Sequence, residues 1–341
     1  MSIKEIAELA GVSKATVSLA LNGRKGVAHD TRMKVLKIAE GMGYRVPSKR
    51  IVVNKSLGFI MFARLCKHGL ILNEDQNSFI MEYINGMNRI VTKEGYTFEI
   101  FDYRVNDIAD FIGEVTFRKP KGVIILGTEL DEEDVKELNN LPIPHLLIDT
   151  YYEQVSKDYV NMANIGALYE VVSHFYQTGH STVGMVTSRV KSGNVLMRER
   201  GFNLAVEQLN LKLQTPPIEV APGFDGAYQD MKAYLKGDGS LPQGLFCYND
   251  LAAFGVVKAL KEHGLKIPDD LSIIGFDNLP MSAMMEPMLT TVRIPNQTIG
   301  ELAANSIIER INNRNRESHS PLGLLVSGSL IIRESVRDLR K

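Results

Sequence analysis

Apolar residues over the first fifty positions recur at helical spacing. Ile3, Ile6, Ala7 and Ala10 fall on one face of a helix that stops at Gly11. After a short Gly-Val turn, Ser13 suits the N-cap of a second helix over Ser13–Asn22, which Gly23 closes. Val17, Ala20 and Leu21 lie on one side of that helix, with Lys14, Ala15, Ser18 and Leu19 on the other. A third helix is expected to be capped by Asp30 or Thr31. It turns Val35, Ile38, Ala39 and Met42 inward and ends before Gly43-Tyr44. Two short helices across a tight Gly-containing turn, backed by a third, form a helix-turn-helix arrangement.

From Leu57 the pattern changes to short apolar runs alternating with amphipathic stretches. Strands are expected at Leu57–Phe62, Thr97–Phe101, Gly122–Leu126, His145–Ile148, Val183–Val186, Ile218–Ala221, Leu245–Tyr248 and Leu271–Phe276. Helices fill the gaps, for example Glu82–Glu94, Ala167–Gln177, Arg198–Leu209 and Ala252–Glu262. Such alternation predicts an α/β body of parallel sheets flanked by helices, and the number of strands fits two sheets better than one.

Charge sharpens the division. Residues 1–50 carry ten Lys/Arg against four Asp/Glu, a net +6, and the rest of the chain is −7. A basic head on an acidic body suits a module that meets a polyanion, although a solvated basic face has the same charge. Cys66 and Cys247 have neither C-x-x-C nor metal-ligand spacing and read as buried thiols of a reducing compartment. The charged N-terminus is unlike a signal peptide and no apolar run is long enough for a membrane span, so a cytoplasmic location and no membrane partner are expected.

The head string I-K-E-I-A-E-L-A-G-V-S-K-A-T-V-S-L-A-L-N-G, followed by T-R-x-x-V-L-x-x-A-x-x-x-G-Y-R, resembles the head of the lactose-repressor (LacI/GalR) family. The resemblance implies a DNA-binding set of Ser13, Lys14, Ala15, Thr16, Ser18, Leu19, Asn22 and Lys25. Lys14, Ala15 and Leu19 would read bases, while Thr16, Ser18, Asn22 and Lys25 would hold phosphates. Local helix hydrogen bonding is the alternative for Thr16 and Ser18. At position 19 the family usually carries Arg. Leu19 cannot make a bidentate bond to guanine, so it either touches a thymine methyl or covers the helix edge. The connector Y-R-V-P-S-K-R-I-V-V-N-K-S lacks the family's A-R-x-L string, and its β-branched run Ile51-Val52-Val53 disfavours a helix. No hinge helix is expected there. Lys49, Arg50 and Lys55 either contact phosphates or belong to a plain basic linker.

The resemblance extends through K-G-V-I-I-L-G, R-E-R-G-F, N-D-L-A-A-F-G, P-D-D-L-S-I-I-G-F-D-N and L-I-I-R-E-S, and implies a two-lobed, periplasmic-binding-protein-like body. It departs at Asn161-Met162-Ala163-Asn164, where the family favours Asp in place of Ala163. The implied organisation is a head over 1–46, a linker over 47–56 and a body over 57–341. One lobe spans about 57–160 plus 291–323, the other about 161–290 plus 324–341.

Ligands of parallel sheets bind beyond strand carboxyl ends, where Asp149, Asn249 and Asp277 fall. With Arg198 near a helix start and Phe224 in a loop, they match the family's effector positions. Such groups suit a polyhydroxylated ligand with an apolar face: a sugar-like or nucleoside-like effector, carbohydrate first. The alternatives are Asp250 or Asn249 as helix cap, Asp277 in a turn, Arg198 paired with Glu199, and Phe224 in the core. His180 reads as structural. Neither a nucleophile elbow, a phosphate loop nor a metal-ligand cluster is present, so no catalytic residue, metal or cofactor is expected. A solute-binding protein would share the body but lack the basic head. The expected function is that of a transcriptional regulator, a repressor, binding a roughly palindromic DNA operator as a homodimer under effector control.

Overall fold

The computed structural model describes residues 3–21, 26–42, 56–67, 77–104, 107–237, 239–313 and 320–341. Two compact units divide the chain: residues 1–55 with 113–119, and residues 56–112 with 120–341. The expected linker, with Lys49, Arg50 and Lys55, lies outside the described residues, as do Asn22 and Lys25.

The head holds α1 (Ile3–Ala10), α2 (Lys14–Leu21) and α3 (His29–Gly41). Ile6, Ala7, Ala10, Val17, Ala20, Leu21, Val35, Leu36 and Ala39 are buried together. Gly11 turns the chain between the first two helices at φ +68, a conformation open to glycine without cost. α3 starts before the expected cap. Arg32 N donates to Ala28 O at 2.9 Å, so Asp30 and Thr31 lie inside the first turn, where Asp30 complements the helix dipole.

The second unit contains two sheets. The first has the order β12-β5-β4-β3-β1-β2, built from β1 (Phe59–Cys66), β2 (Thr97–Arg104), β3 (Gly122–Leu126), β4 (His145–Ile148), β5 (Tyr159–Met162) and β12 (Gly323–Val326). The other runs β13-β11-β10-β9-β6-β7, with β8 also on β6. Its strands are β6 (Thr182–Ser188), β7 (Lys212–Leu213), β8 (Ile218–Val220), β9 (Gly244–Cys247), β10 (Ser272–Asp277), β11 (Thr290–Arg293) and β13 (Ser329–Ile331). Pairing is parallel except between β11 and β13. Buried runs such as Gly122–Leu126 are apolar throughout because helices cover both faces of a parallel sheet.

The flanking helices are α4 (Asn77–Lys93), α6 (Glu132–Glu137), α7 (Asn164–Gln177), α8 (Gly193–Gln208), α9 (Gly223–Lys236), α10 (Asp250–Glu262) and α11 (Asn296–Asn312), while α5 (Ile108–Arg118) is divided between the two units. α4 packs on α11, α7 on α8 and α9 on α10. The α4–α11 pair closes on glycine: a Cβ at Gly300 would stand 2.3 Å from Tyr83 O, and one at Gly86 would stand 2.2 Å from Gln297 O.

The chain crosses between sheets after Met162, Arg293 and Val326. Each crossing falls two or three residues later than the expected lobe limits. The backbone keeps pairing as far as the ladders allow, Met162 with Val326 and Arg293 with Ser329. β1 likewise begins at Phe59 and runs on to Cys66 beside β2, with Arg64 Nε bonded to Asp102 at 2.5 Å. α8 begins at Gly193, five residues before the expected start at Arg198, because Ser192 caps it.

Candidate functional site

At α2, the preceding Ser13 and the helical Lys14 and Ala15 are exposed, while Thr16, Ser18 and Leu19 are half-buried. Ser13 Oγ accepts from Thr16 N at 3.0 Å and lies 2.8 Å from Thr16 Oγ1. Both side chains are thus engaged in the helix cap, the local alternative weighed for Thr16. Lys14 and Ala15 stand clear at the first turn, the part of a recognition helix that approaches base edges.

In the body, four of the five expected effector residues meet in one cleft between the two sheets. Asp149 follows β4, Asp277 ends β10, Asn249 follows β9 and Arg198 lies on α8. All four line a cavity of about 90 Å³ with Phe79, Thr128, Ser188, Ser192, Asn194 and Tyr248. Both acids have left-handed backbones, Asp149 at φ +59 and Asp277 at φ +108. Non-glycine residues rarely adopt such conformations, and they cluster where a side chain must be aimed.

The Asp149 carboxylate accepts from Thr128 Oγ1, from Tyr83 OH at 3.3 Å and from Asn194 Nδ2 at 2.9 Å. Burial pushes its carboxyl up against the lowering pull of Thr128 and Arg198. Burial also raises the Tyr83 phenol well above its ordinary value, reinforced by Asp149. Arg198 donates from Nε to Asn164 Oδ1 at 3.0 Å and from a terminal nitrogen to Tyr248 O at 2.6 Å, and it stacks 3.7 Å over the Phe276 ring. Its other terminal nitrogen stands 3.6 Å from Asp277 Oδ1, with both side chains largely buried at 7% and 13% exposure. Among the described residues no hydrogen-bond donor reaches the Asp277 carboxylate. Burial, with Asp250 and Asp149 adding to it, drives that carboxyl well above its usual range although Arg198 pulls the other way. Asp277 is thus the acceptor left open in the cleft. α8, α9 and α10 all begin at this cleft, so their positive dipole ends face the carboxylates.

Several expectations change. Phe224 lies in the first turn of α9, which begins after an extended Pro222, and not in a loop. It faces a separate cavity of about 840 Å³ beside Phe254, Met281 and Lys258. Asn249, not Asp250, caps α10: its Oδ1 accepts from Ala252 N at 2.9 Å. Asp250 is buried inside the helix, where Leu279 N and Thr291 Oγ1 donate to it, and burial raises its carboxyl to about 7. Arg198 does not pair with Glu199, which bonds Thr187 and Lys191 instead. His180 is buried, bonded through Nε2 to Ser272 Oγ at 2.8 Å.

Sequence reasoning missed Phe79, Tyr83, Thr128, Ser188, Ser192 and Asn194. The strand-end rule that found Asn249 would have found Ser188 at the end of β6, and Asn194 lies one helical turn before Arg198 on the same face of α8. Tyr83, inside α4, carries no such signal. Among the described residues no His/Cys/Asp/Glu group is arranged to hold a metal ion, and no helix is long and apolar enough to cross a membrane.

Residues 2–47 match the model of bacterial regulatory proteins of the lacI family, and residues 172–336 that of a periplasmic binding protein-like domain. The chain is 26% identical to the HTH-type transcriptional repressor PurR of Histophilus somni (strain 129Pt) over 348 aligned residues, 99% of each chain. In structure it is similar to the lac repressor dimer bound to operator and the anti-inducer ONPF, with a TM-score of 0.70 and 18% identity over 99% of both chains. It is also similar to a LacI family regulator from Enterococcus faecalis V583 with bound ribose, with a TM-score of 0.67 and 26% identity over 82% of this chain and 99% of that one.

Proposed function

Because this chain belongs to the lacI family of bacterial regulatory proteins and carries its periplasmic-binding-protein-like effector domain, we propose that it is a homodimeric repressor whose hold on a palindromic operator is set by a small sugar-like effector between the lobes. Lys14, Ala15 and Leu19 read bases, while Ser18, Asn22 and Lys25 grip phosphates with Ser13 at the helix start, and Thr16 joins them where its hydroxyl leaves Ser13 for a phosphate oxygen. Asp149, Arg198, Asn249 and Asp277 hold the effector.

One observation carries the effector reading. Two buried carboxylates and one guanidinium converge in a cleft where Asp277 has no donor of its own. Vicinal hydroxyls supply the missing donors, whereas a phosphate would add negative charge beside two acids with a single, already engaged Arg. The ribose-bound relative at 26% identity is in keeping with a sugar. The cavity of about 90 Å³ is well below the roughly 300–1,000 Å³ of ordinary ligand pockets. Entry therefore requires the lobes to part and reclose, and that motion is the signal passed to the heads.

The test is selection of preferred duplexes from a random pool, then a screen of sugars, sugar phosphates and nucleosides for altered binding. Free sugars are expected to shift operator affinity about 5–150-fold, in line with ordinary coupling energies. Indifference to every sugar with a response to nucleosides would replace the sugar reading. No duplex preference at modest salt would remove the repressor reading altogether.

A further inference from the structure

Where the chain first crosses between lobes, three asparagines are buried together. Asn161 ends the first lobe on β5, Asn164 opens α7 and Asn194 lies in the first turn of α8. Asn194 Oδ1 accepts from Asn161 Nδ2 at 2.8 Å and from Asn164 Nδ2 at 3.0 Å. Its Nδ2 donates to both the main-chain oxygen and the Oδ1 of Asp149, each at 2.9 Å. Asn164 passes the chain on, accepting from Arg198 Nε. One amide thus spans the seam, bonding Asp149 and Asn161 of the first lobe from a helix of the second. The surroundings are close-fitting: a Cβ at Gly193 would stand 2.6 Å from Thr150 Oγ1 and 2.9 Å from Tyr151 O.

The arrangement is also incompletely satisfied. Thr150 Oγ1 and Asn161 Oδ1 are buried at the same seam without a hydrogen-bond partner. Neither oxygen gains a protein partner from this arrangement, whereas the Asn194 amide makes four hydrogen bonds in it, three of them to Asp149 and Asn161 of the first lobe.

We propose that Asn194 is a positioning residue that couples effector recognition to lobe closure, holding the Asp149 carboxylate for the ligand while tying α8 to the first lobe. It rests on the effector reading for its consequence but not for its geometry. With its acceptor and donors spent on protein partners, Asn194 acts through Asp149 and not on the ligand. A ligand that engages Asp149 therefore stabilises the same closed seam.

The test uses full-length protein without ligand. Asn194→Asp keeps the shape but turns the donor facing Asp149 into a second carboxylate. The titratable groups around that point are Asp149, Tyr83 of α4, Arg198 of α8 and Asp277 of β10. Two adjacent carboxylates cannot both ionise cheaply, so the variant should show a larger radius of gyration in small-angle scattering at about pH 8. It should return to the parent value at about pH 5.5, where a shared proton restores a donor. The reciprocal pair Asn194→Asp/Asp149→Asn restores the side-chain bond with donor and acceptor exchanged, although not the bond to the main-chain oxygen, and should lie closer to the parent than the single variant does at about pH 8.

A single variant identical to the parent at high pH, or equally expanded at both, overturns the proposal. So does a folded double variant as expanded as the single variant at about pH 8. Should the single variant alone not fold, a folded, parent-like double variant still supports the pairing. Because no ligand enters the measurement, a failed sugar screen removes the effector's part in the coupling and leaves the closure of the seam by Asn194 standing. An unchanged scattering curve does the reverse.

Discussion

Arg198 bonds Asn164 and Tyr248 O, lies over Phe276 and faces Asp277, and no other residue type makes those four contacts at once. Lysine lacks the planar fork, so Arg198→Lys should lose most of the effector response although charge is kept, as operator affinity titrated with effector would show. Arg198→Ala strands two carboxylates in the cleft and should cost ~3–5 kcal/mol in urea unfolding. The acids themselves predict a pH effect. Asp149, Asp250 and Asp277 all have carboxyls raised in the folded state, Asp250 to about 7. Each keeps a proton that the unfolded chain, at about pH 4, has already lost, so each lowers stability as pH rises from there toward its folded value. His145, lowered by burial to about 4, and His174 and His180, also lowered, act in the opposite sense between their folded values and the ordinary histidine range. The difference between a variant and its parent therefore carries the test. Asp277→Asn should gain stability relative to the parent as the pH rises above about 4, measured by calorimetry, and a constant difference would contradict the raised carboxyl.

Helix packing is decided at single glycines. In a helix interior Gly→Ala ordinarily gains about 1 kcal/mol. At Gly300 the added methyl meets the backbone oxygen of Tyr83, which cannot swing aside, and overpacking of this kind costs ~1–3 kcal/mol. The clash wins, so Gly300→Ala should lower the unfolding midpoint, and it should also displace Tyr83 from Asp149. In the head, Ser13→Ala removes the bond to Thr16 N and should cost the head about 1 kcal/mol, read from its amide exchange. The element patterns were legible in advance wherever burial was one-sided, as for Val17, Ala20 and Leu21 on α2. Ends were less legible. β1 runs past its expected end because neighbouring strands keep it paired, and α9 opens before Phe224 because Pro222 starts it there.

For the whole molecule, the homodimer proposed above would present two heads to two half-sites. Destroying one half-site should weaken binding about 10²–10⁴-fold, measured against the intact palindrome in gel shift or anisotropy. Equal affinity for half and whole sites would argue for a monomer on DNA. Three of the cleft residues, Asp149, Asn249 and Asp277, were legible because strand carboxyl ends are readable from where apolar runs stop. Phe224 was not, because its side of α9 is fixed by how that helix packs against α10.

Local regularities of the chain determined a basic three-helix head, a body of alternating strands and helices, and the polar residues at strand ends. Each of these depends on neighbours a few positions apart. The partners across distance were decided by tertiary structure: Tyr83 on Asp149, Asn194 across the seam, and Arg198 between Asp277 and Asn164. Those contacts join residues scores of positions apart, and a pattern with a period of two or 3.6 residues holds no record of which helix is folded against which strand.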